Sequence, residues 1–127
     1  MDLPSDPAAV SGVRRFASGV LAAWRLEDLS FTTELVVSEL VTNAIRYGRA
    51  PVQLRPILQS TLTCEVSDAS STAPHLRRAR IYDEGVRGLL LVAQCAERWG
   101  TRHGREGKVI WAEQALPAHS TSTAEVM

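Results

Sequence analysis

The chain has 127 residues, 45% of them hydrophobic, which suits a single globular domain and is too apolar for a disordered one. Fourteen basic side chains balance fourteen acidic ones, which argues against a protein that binds DNA or a membrane surface through concentrated cations. The two cysteines, Cys64 and Cys95, lie among apolar neighbours without zinc-ligand spacing, so they read as small buried hydrophobes in a reducing compartment.

Residues 1–7 carry two acids and no basic run, so no secretory signal is expected. The longest apolar stretch, 88–93, is far too short to span a bilayer, and a cytoplasmic protein is expected. Ser5-Asp6-Pro7 reads as an N-cap followed by proline in the first helical turn. Val10, Val13, Phe16, Ala17, Val20, Leu21 and Trp24 then repeat at helical spacing. A second helix is expected from about residue 29 to 47, ended by Gly48 with Pro51 beyond it. Residues 52–58 and 61–67 read as strands joined by a turn at Gln59-Ser60. Residues 68–84 have no sustained period and form a long loop, a feature that is usually functional in a compact domain. Helical spacing returns over 85–97, and strands are expected over 98–101 and 108–113 around a turn at 103–107. The fold class is an α/β two-layer sandwich: a mixed, mostly antiparallel sheet covered on one face by about three helices. The domain is expected to span 1–116, with a disordered tail over 117–127.

The second helix carries the most chemistry. At about 100° per residue, Val37, Val41 and Ala44 share one side, while Glu39, Asn43 and Arg46 share the opposite one. Residues four apart are neighbours on a helix, so Glu39 and Asn43 address one small volume. A carboxylate beside a carboxamide offers a base and a neutral oxygen ligand, and Mg²⁺ takes hard oxygen donors. A solvated polar face making local hydrogen bonds is the plainer use of the same spacing. Asp68 at a strand end could accept a hydrogen bond from an exocyclic amine, or simply form an Asx turn. Gly85 and Gly88 bracket a helix start, where free N–H groups and the helix dipole favour phosphate. Arg77, Arg78, Arg80 and Arg87 lie nearby and could pair with phosphates or face solvent.

The string Ser38-Glu39-Leu40-Val41-Thr42-Asn43-Ala44 resembles the N box of the GHKL ATPases. It is most similar to the anti-sigma-factor serine/threonine kinases of the SpoIIAB/RsbW type and their actinobacterial relatives. Val66-Ser67-Asp68, Gly88-Leu89-Leu90-Leu91-Val92 and Gly107-Lys108-Val109-Ile110-Trp111 follow in the family's order. The resemblance implies ATP and Mg²⁺ as cofactors, with Glu39 as general base and Asn43 as metal ligand. It also places Asp68 on the adenine amino group, and Arg46, Gly85, Arg87, Gly88 and Leu89 around the nucleotide. The implied partners are a sigma factor, held inactive, and an anti-anti-sigma protein phosphorylated on serine, with no direct nucleic acid or membrane contact. A homodimer is implied as well. The apolar face of the first helix (Val13, Phe16, Val20) could serve one, although packing on the chain's own core is its plainer use.

Three departures from the pattern stand out. Asp68-Ala69-Ser70-Ser71-Thr72 has no glycine where the family has a glycine box, and Val86 stands where a second glycine is expected. The N terminus leaves little room for the extra first strand of many relatives. Glycines in such loops permit positive φ and close approach to phosphate. Their loss motivates an alternative function, a catalytically inactive partner-binding module that keeps the fold.

Overall fold

The structure, a computed structural model, describes residues 1–4, 6–70 and 91–117. The elements run β1 (Asp2–Leu3), α1 (Ala9–Ala23), a 3-10 turn (Glu27–Leu29), α2 (Ser30–Tyr47), β2 (Val52–Leu58), β3 (Thr61–Asp68), β4 (Arg98–Gly104) and β5 (Gly107–Ala115). The sheet order is β1-β2-β3-β5-β4, and every neighbouring pair is antiparallel. Residues 91–95 are helical, and Ala96 N closes their last turn on Val92 O at 2.8 Å. The expected α/β sandwich is therefore what forms, with a sheet that is antiparallel throughout its described strands.

Alternation along the strands sets the layers. Val52 and Leu54 of β2, Leu62, Cys64 and Val66 of β3, and Ile110 and Ala112 of β5 are buried toward the helices. Against them pack Val13 and Ala17 of α1 and Val36, Val37, Leu40, Val41 and Ala44 of α2. Each fully buried Leu or Val contributes roughly 1.5–3 kcal/mol relative to exposure. Val13 and Phe16 join this cluster, so that stripe of α1 serves the chain's own core. Burial pushes the Cys64 thiol up to about 12, which leaves it an inert hydrophobe. No helix among the described residues is long and apolar enough to cross a membrane.

Two polar ties fix the rotation of α2. Thr33 Oγ1 donates to Gln114 Oε1 at 3.0 Å inside the layer between helix and sheet. Arg14 Nε of α1 donates to Ser38 Oγ at 2.8 Å, and that hydroxyl donates to Glu34 O at 2.6 Å.

Several boundaries differ from expectation, each for a local reason. The α1 helix starts at Ala9 rather than at Pro7, because Asp6 Oδ1 accepts Ala8 N at 3.0 Å in a turn ahead of it. A first strand does form: Asp2 pairs with Gln53, Leu3 pairs with Val52, and Gln53 Nε2 donates to Asp2 Oδ1 at 2.6 Å. Two residues suffice because one buried leucine and one side-chain bond anchor them. The β4–β5 hairpin is tighter than expected, since Gly104 faces Gly107 and only Arg105 and Glu106 lie in the turn. Pro56 sits within β2 without breaking it. Leu54 N donates away from β3 to Met1 O, and residue 56 points the same way, past the end of β1, where no partner is needed.

The α1 helix ends in a Schellman motif built without glycine. Leu26 N bonds Leu21 O at 2.8 Å, Arg25 N bonds Ala22 O at 3.1 Å, and Leu21 and Leu26 pack together. Arg25 occupies the left-handed position with φ 58°. That conformation costs a residue with a Cβ about 1–2 kcal/mol. Arg25→Gly is expected to stabilise the domain by about 0.5–1 kcal/mol after the entropy of a more flexible unfolded chain is deducted, measurable by urea denaturation.

The face of the sheet away from the helices carries an ion network. Glu65 accepts Arg55 Nη2 at 3.0 Å and Arg102 Nη2 at 2.7 Å, joining β2, β3 and β4 across β5. Burial raises the Glu65 carboxyl, but the two arginines together outweigh it and hold the group below the usual glutamate range. A carboxylate depressed in the folded state stabilises above its unfolded value, and the contribution fades as pH falls through the folded one. Glu65→Gln is expected to cost about 1 kcal/mol at neutral pH, and the gap from wild type should close on acidification below the normal glutamate range. Urea denaturation of both proteins across pH checks it.

Candidate functional site

The α2 helix stops at Gly48, and its last turn meets the end of β3. Asp68 is 5% exposed there. A Cβ at Gly48 would lie 2.5 Å from Asp68 Cγ and 2.6 Å from Ala44 O, so only glycine admits the carboxylate at this point. On the other side, Gly107 has φ +147°, and a Cβ on it would lie 2.0 Å from Asp68 O. Arg49 O accepts Ala69 N at 2.8 Å, which ties the strand end to the helix end a second time.

The two oxygens of Asp68 do different things. Oδ1 accepts Ser70 N at 2.7 Å, an Asx turn, and Arg49 N at 3.4 Å. Oδ2 is buried and accepts no hydrogen bond from the described residues. Lys108 Nζ lies 3.3 Å from it, close enough to pair charges without the geometry of a hydrogen bond, and both side chains are at most 4% exposed. The Asx turn expected of Asp68 thus forms on Oδ1.

Further up α2, Asn43 lies five residues before Gly48, about 7.5 Å along the axis, and Glu39 a further 6 Å or so. Ser38 faces α1 through Arg14. Glu39 and Asn43, roughly 100° and 140° further round, therefore face away from α1. Asn43 is 9% exposed and Glu39 is half-buried. The carboxamide sits deeper than the solvated face that the spacing alone allowed. Arg46 is exposed, with its guanidinium over the Tyr47 ring at 5.4 Å. No group of three or more His, Cys, Asp or Glu side chains among the described residues could hold a metal alone.

The structure brings Asp68 to the end of the helix that carries Glu39, Asn43 and Arg46. Gly85, Arg87, Gly88 and Leu89, like Arg77, Arg78 and Arg80, lie outside the described residues. Sequence reasoning missed Lys108 and the roles of Gly48 and Gly107. Lys108 faces Asp68 directly in the β3–β5 register, and no local pattern could announce a partner 40 positions away. On the sheet face away from the helices, opposite the side that carries Glu39 and Asn43, opens a basin of about 850 Å³, lined by Gln53, Ser67 and the hairpin residues Arg102, His103 and Arg105 among others. That volume lies within the range of small-molecule sites.

The sequence profile of the histidine kinase-like ATPase domain matches residues 3–113. The chain belongs to that family. Among solved structures it is similar to the histidine kinase domain of a blue-light activated histidine kinase from Erythrobacter litoralis, with 24% identity and a TM-score of 0.55. The match covers 78% of this chain and 50% of the other, so the chain spans about half the length of that neighbour. At this identity the likeness speaks to the fold. No curated protein matches the sequence. The expected GHKL fold is thereby established. Domains of this kind bind ATP, usually with Mg²⁺, and the described residues fit such a ligand at two points. An Asp68 carboxylate oxygen is an acceptor of the kind an amino group of a base needs, and the buried carboxamide of Asn43 offers an oxygen of the kind Mg²⁺ takes.

Gly48 should be intolerant of any side chain. Gly48→Ala is expected to cost about 2–3 kcal/mol by urea denaturation, because either the Asp68 carboxylate or the last turn of α2 must move. Gly107→Ala should cost at least as much. Gly19, where a Cβ would meet nothing within 4 Å, is the control. Its replacement by alanine mid-helix should stabilise by about 0.5–1 kcal/mol.

Proposed function

We propose that this chain is an ATP–Mg²⁺-binding regulatory domain that phosphorylates a serine on a partner protein. The observation that carries the reading is the order of groups along α2 and at its end. The Asp68 carboxylate lies at the C-terminal end of α2, Asn43 about one and a half turns back, and Glu39 one turn further. Asp68 Oδ2 would accept a hydrogen bond from the base, and the Asn43 side-chain oxygen would hold the metal. Mg²⁺ would draw charge off the phosphates as it develops. Glu39, half-exposed and one turn beyond Asn43, would accept the proton of the partner's serine hydroxyl as its oxygen bonds the γ-phosphorus. The bond from that phosphorus to the bridging oxygen would break, and ADP would leave. By family likeness the serine would belong to an anti-anti-sigma protein, and the second partner would be a sigma factor held inactive.

A second reading has its own observation. Asp68-Ala69-Ser70 carries no glycine, and an ammonium already lies 3.3 Å from the Asp68 oxygen. A module that binds partners with little or no nucleotide would fit those features.

Isothermal titration with ATP and ADP, with and without Mg²⁺, separates the two. Micromolar ATP affinity that loses its Mg²⁺ dependence in Asn43→Ala and weakens at least tenfold in Asp68→Ala supports the kinase-like reading. Glu39→Ala should then abolish transfer to the partner while ATP affinity changes by only a few-fold. No binding at millimolar nucleotide would leave the partner-binding module as the function.

A further inference from the structure

The last strand ends beside the start of the helix that carries Glu39. Near the start of α2, Thr33 Oγ1 donates to Gln114 Oε1 of β5 at 3.0 Å. Leu116 packs against the cluster of Leu21, Leu26 and Leu62, as does Leu29, the residue immediately before α2. Residues 118–127 follow, and they include the run Ser120-Thr121-Ser122-Thr123. Phe31 stands two turns before Glu39 on the same ridge of α2 and is 79% exposed, so the surface leading to Glu39 is open there. Glu39 itself is half-buried.

Resting on the reading that Glu39 is the base of a phosphotransfer, we propose that the chain phosphorylates its own tail in cis, at Ser122 with Thr123 as the neighbouring acceptor. The lengths select these two hydroxyls. From Leu29 to Glu39 the helix rises about 15 Å and turns roughly 80°, a surface path of about 17 Å. Ser120, four residues past Leu116, reaches about 14 Å and falls short. Thr121 reaches no further than the path itself. Ser122 reaches about 20 Å and Thr123 about 24 Å. The Ser122 oxygen bonds the γ-phosphorus as its proton passes to the Glu39 carboxylate. The bond from that phosphorus to the β,γ-bridging oxygen breaks, and ADP leaves with the electron pair. Carriage on the same chain holds the hydroxyl at an effective concentration on the order of millimolar. A partner's serine at micromolar concentration therefore competes with an acceptor that is already in place.

The experiment incubates the full chain with ATP and Mg²⁺ and follows the intact mass and the tail peptides by mass spectrometry. A phosphoryl group is expected on Ser122 or Thr123, with a first-order rate constant that does not change over about a hundredfold range of protein concentration. Glu39→Gln is expected to slow the labelling by about a hundredfold or more. Replacing Ser122 and Thr123 together by alanine is expected to abolish it with ATP affinity unchanged by titration, whereas Ser120→Ala keeps it. Should Glu39→Gln not fold, the concentration dependence and the tail variants decide the matter by themselves. ATP binding without label on the tail, label on Ser120 alone, or a rate constant that rises with protein concentration would overturn the cis acceptor while leaving the nucleotide site standing. Label that survives Glu39→Gln at the wild-type rate would overturn it too. Absence of ATP binding would overturn the proposed function and this inference with it.

Discussion

A carboxylate removed from water costs several kcal/mol unless nearby donors and charges replace what it lost, and Asp68 meets that demand with parts from separate elements. The backbone just past α2 supplies Arg49 N, the chain just past β3 supplies Ser70 N, and β5 supplies the Lys108 ammonium. None of these can be delivered unless the helix end, the strand end and the neighbouring strand meet at one point. Gly48 and Gly107 make the meeting sterically feasible, because a Cβ on either would occupy space the Asp68 residue already fills. Satisfying one buried charge thereby fixes how the helical layer and the sheet come together at this end of the molecule.

The remaining ties of α2 work from that fixed end. Thr33 bonds Gln114 near the start of the helix, and Ser38 bonds Arg14 in the middle. A helix held at its start, its middle and its end has little freedom to roll. Its apolar side then lies on the sheet, its Ser38 side against α1, and the remaining sector carries Glu39 and Asn43. Two chemically useful side chains one turn apart are thus oriented by residues that take no part in the chemistry. The opposite sheet face carries an ion network, with Glu65 shared between Arg55 and Arg102, beside the half-buried Val109 and Trp111. The ion pairs give that side cross-strand support.

Much of this was legible in the chain. Residues 34–47 combine helical periodicity with a glycine stop, and both are local signals that tertiary contacts did not override. The strands β2 and β3 were legible for the same reason, since alternation and a polar turn are written within a few residues. What escaped has a common physical cause. Lys108 reads as a surface residue because lysine normally is one, and its burial depends on a carboxylate contributed from another strand. Arg25 gives no sign of a left-handed conformation, because a glycine there would have announced it and an arginine does not. Two residues of β1 carry no period at all. The Asp6 turn took the place of the expected cap because an aspartate side chain can satisfy either. For Asp68 the Asx turn was legible, and the coordinates assign it to Oδ1.

The Asp68–Lys108 pair bears on why a polar site survives in a packed layer. Buried ion pairs are weak sources of stability, and well-packed apolar replacements of similar volume are often as stable or more so. A pair that served the fold alone would gain most by closing every hydrogen bond, because an unused buried acceptor carries a desolvation penalty of about 1–3 kcal/mol. Oδ1 follows that rule, with two backbone donors. Oδ2 departs from it, in the same carboxylate and at the same depth. The Lys108 ammonium, 3.3 Å away, supplies the opposite charge that makes such an atom tolerable at this depth.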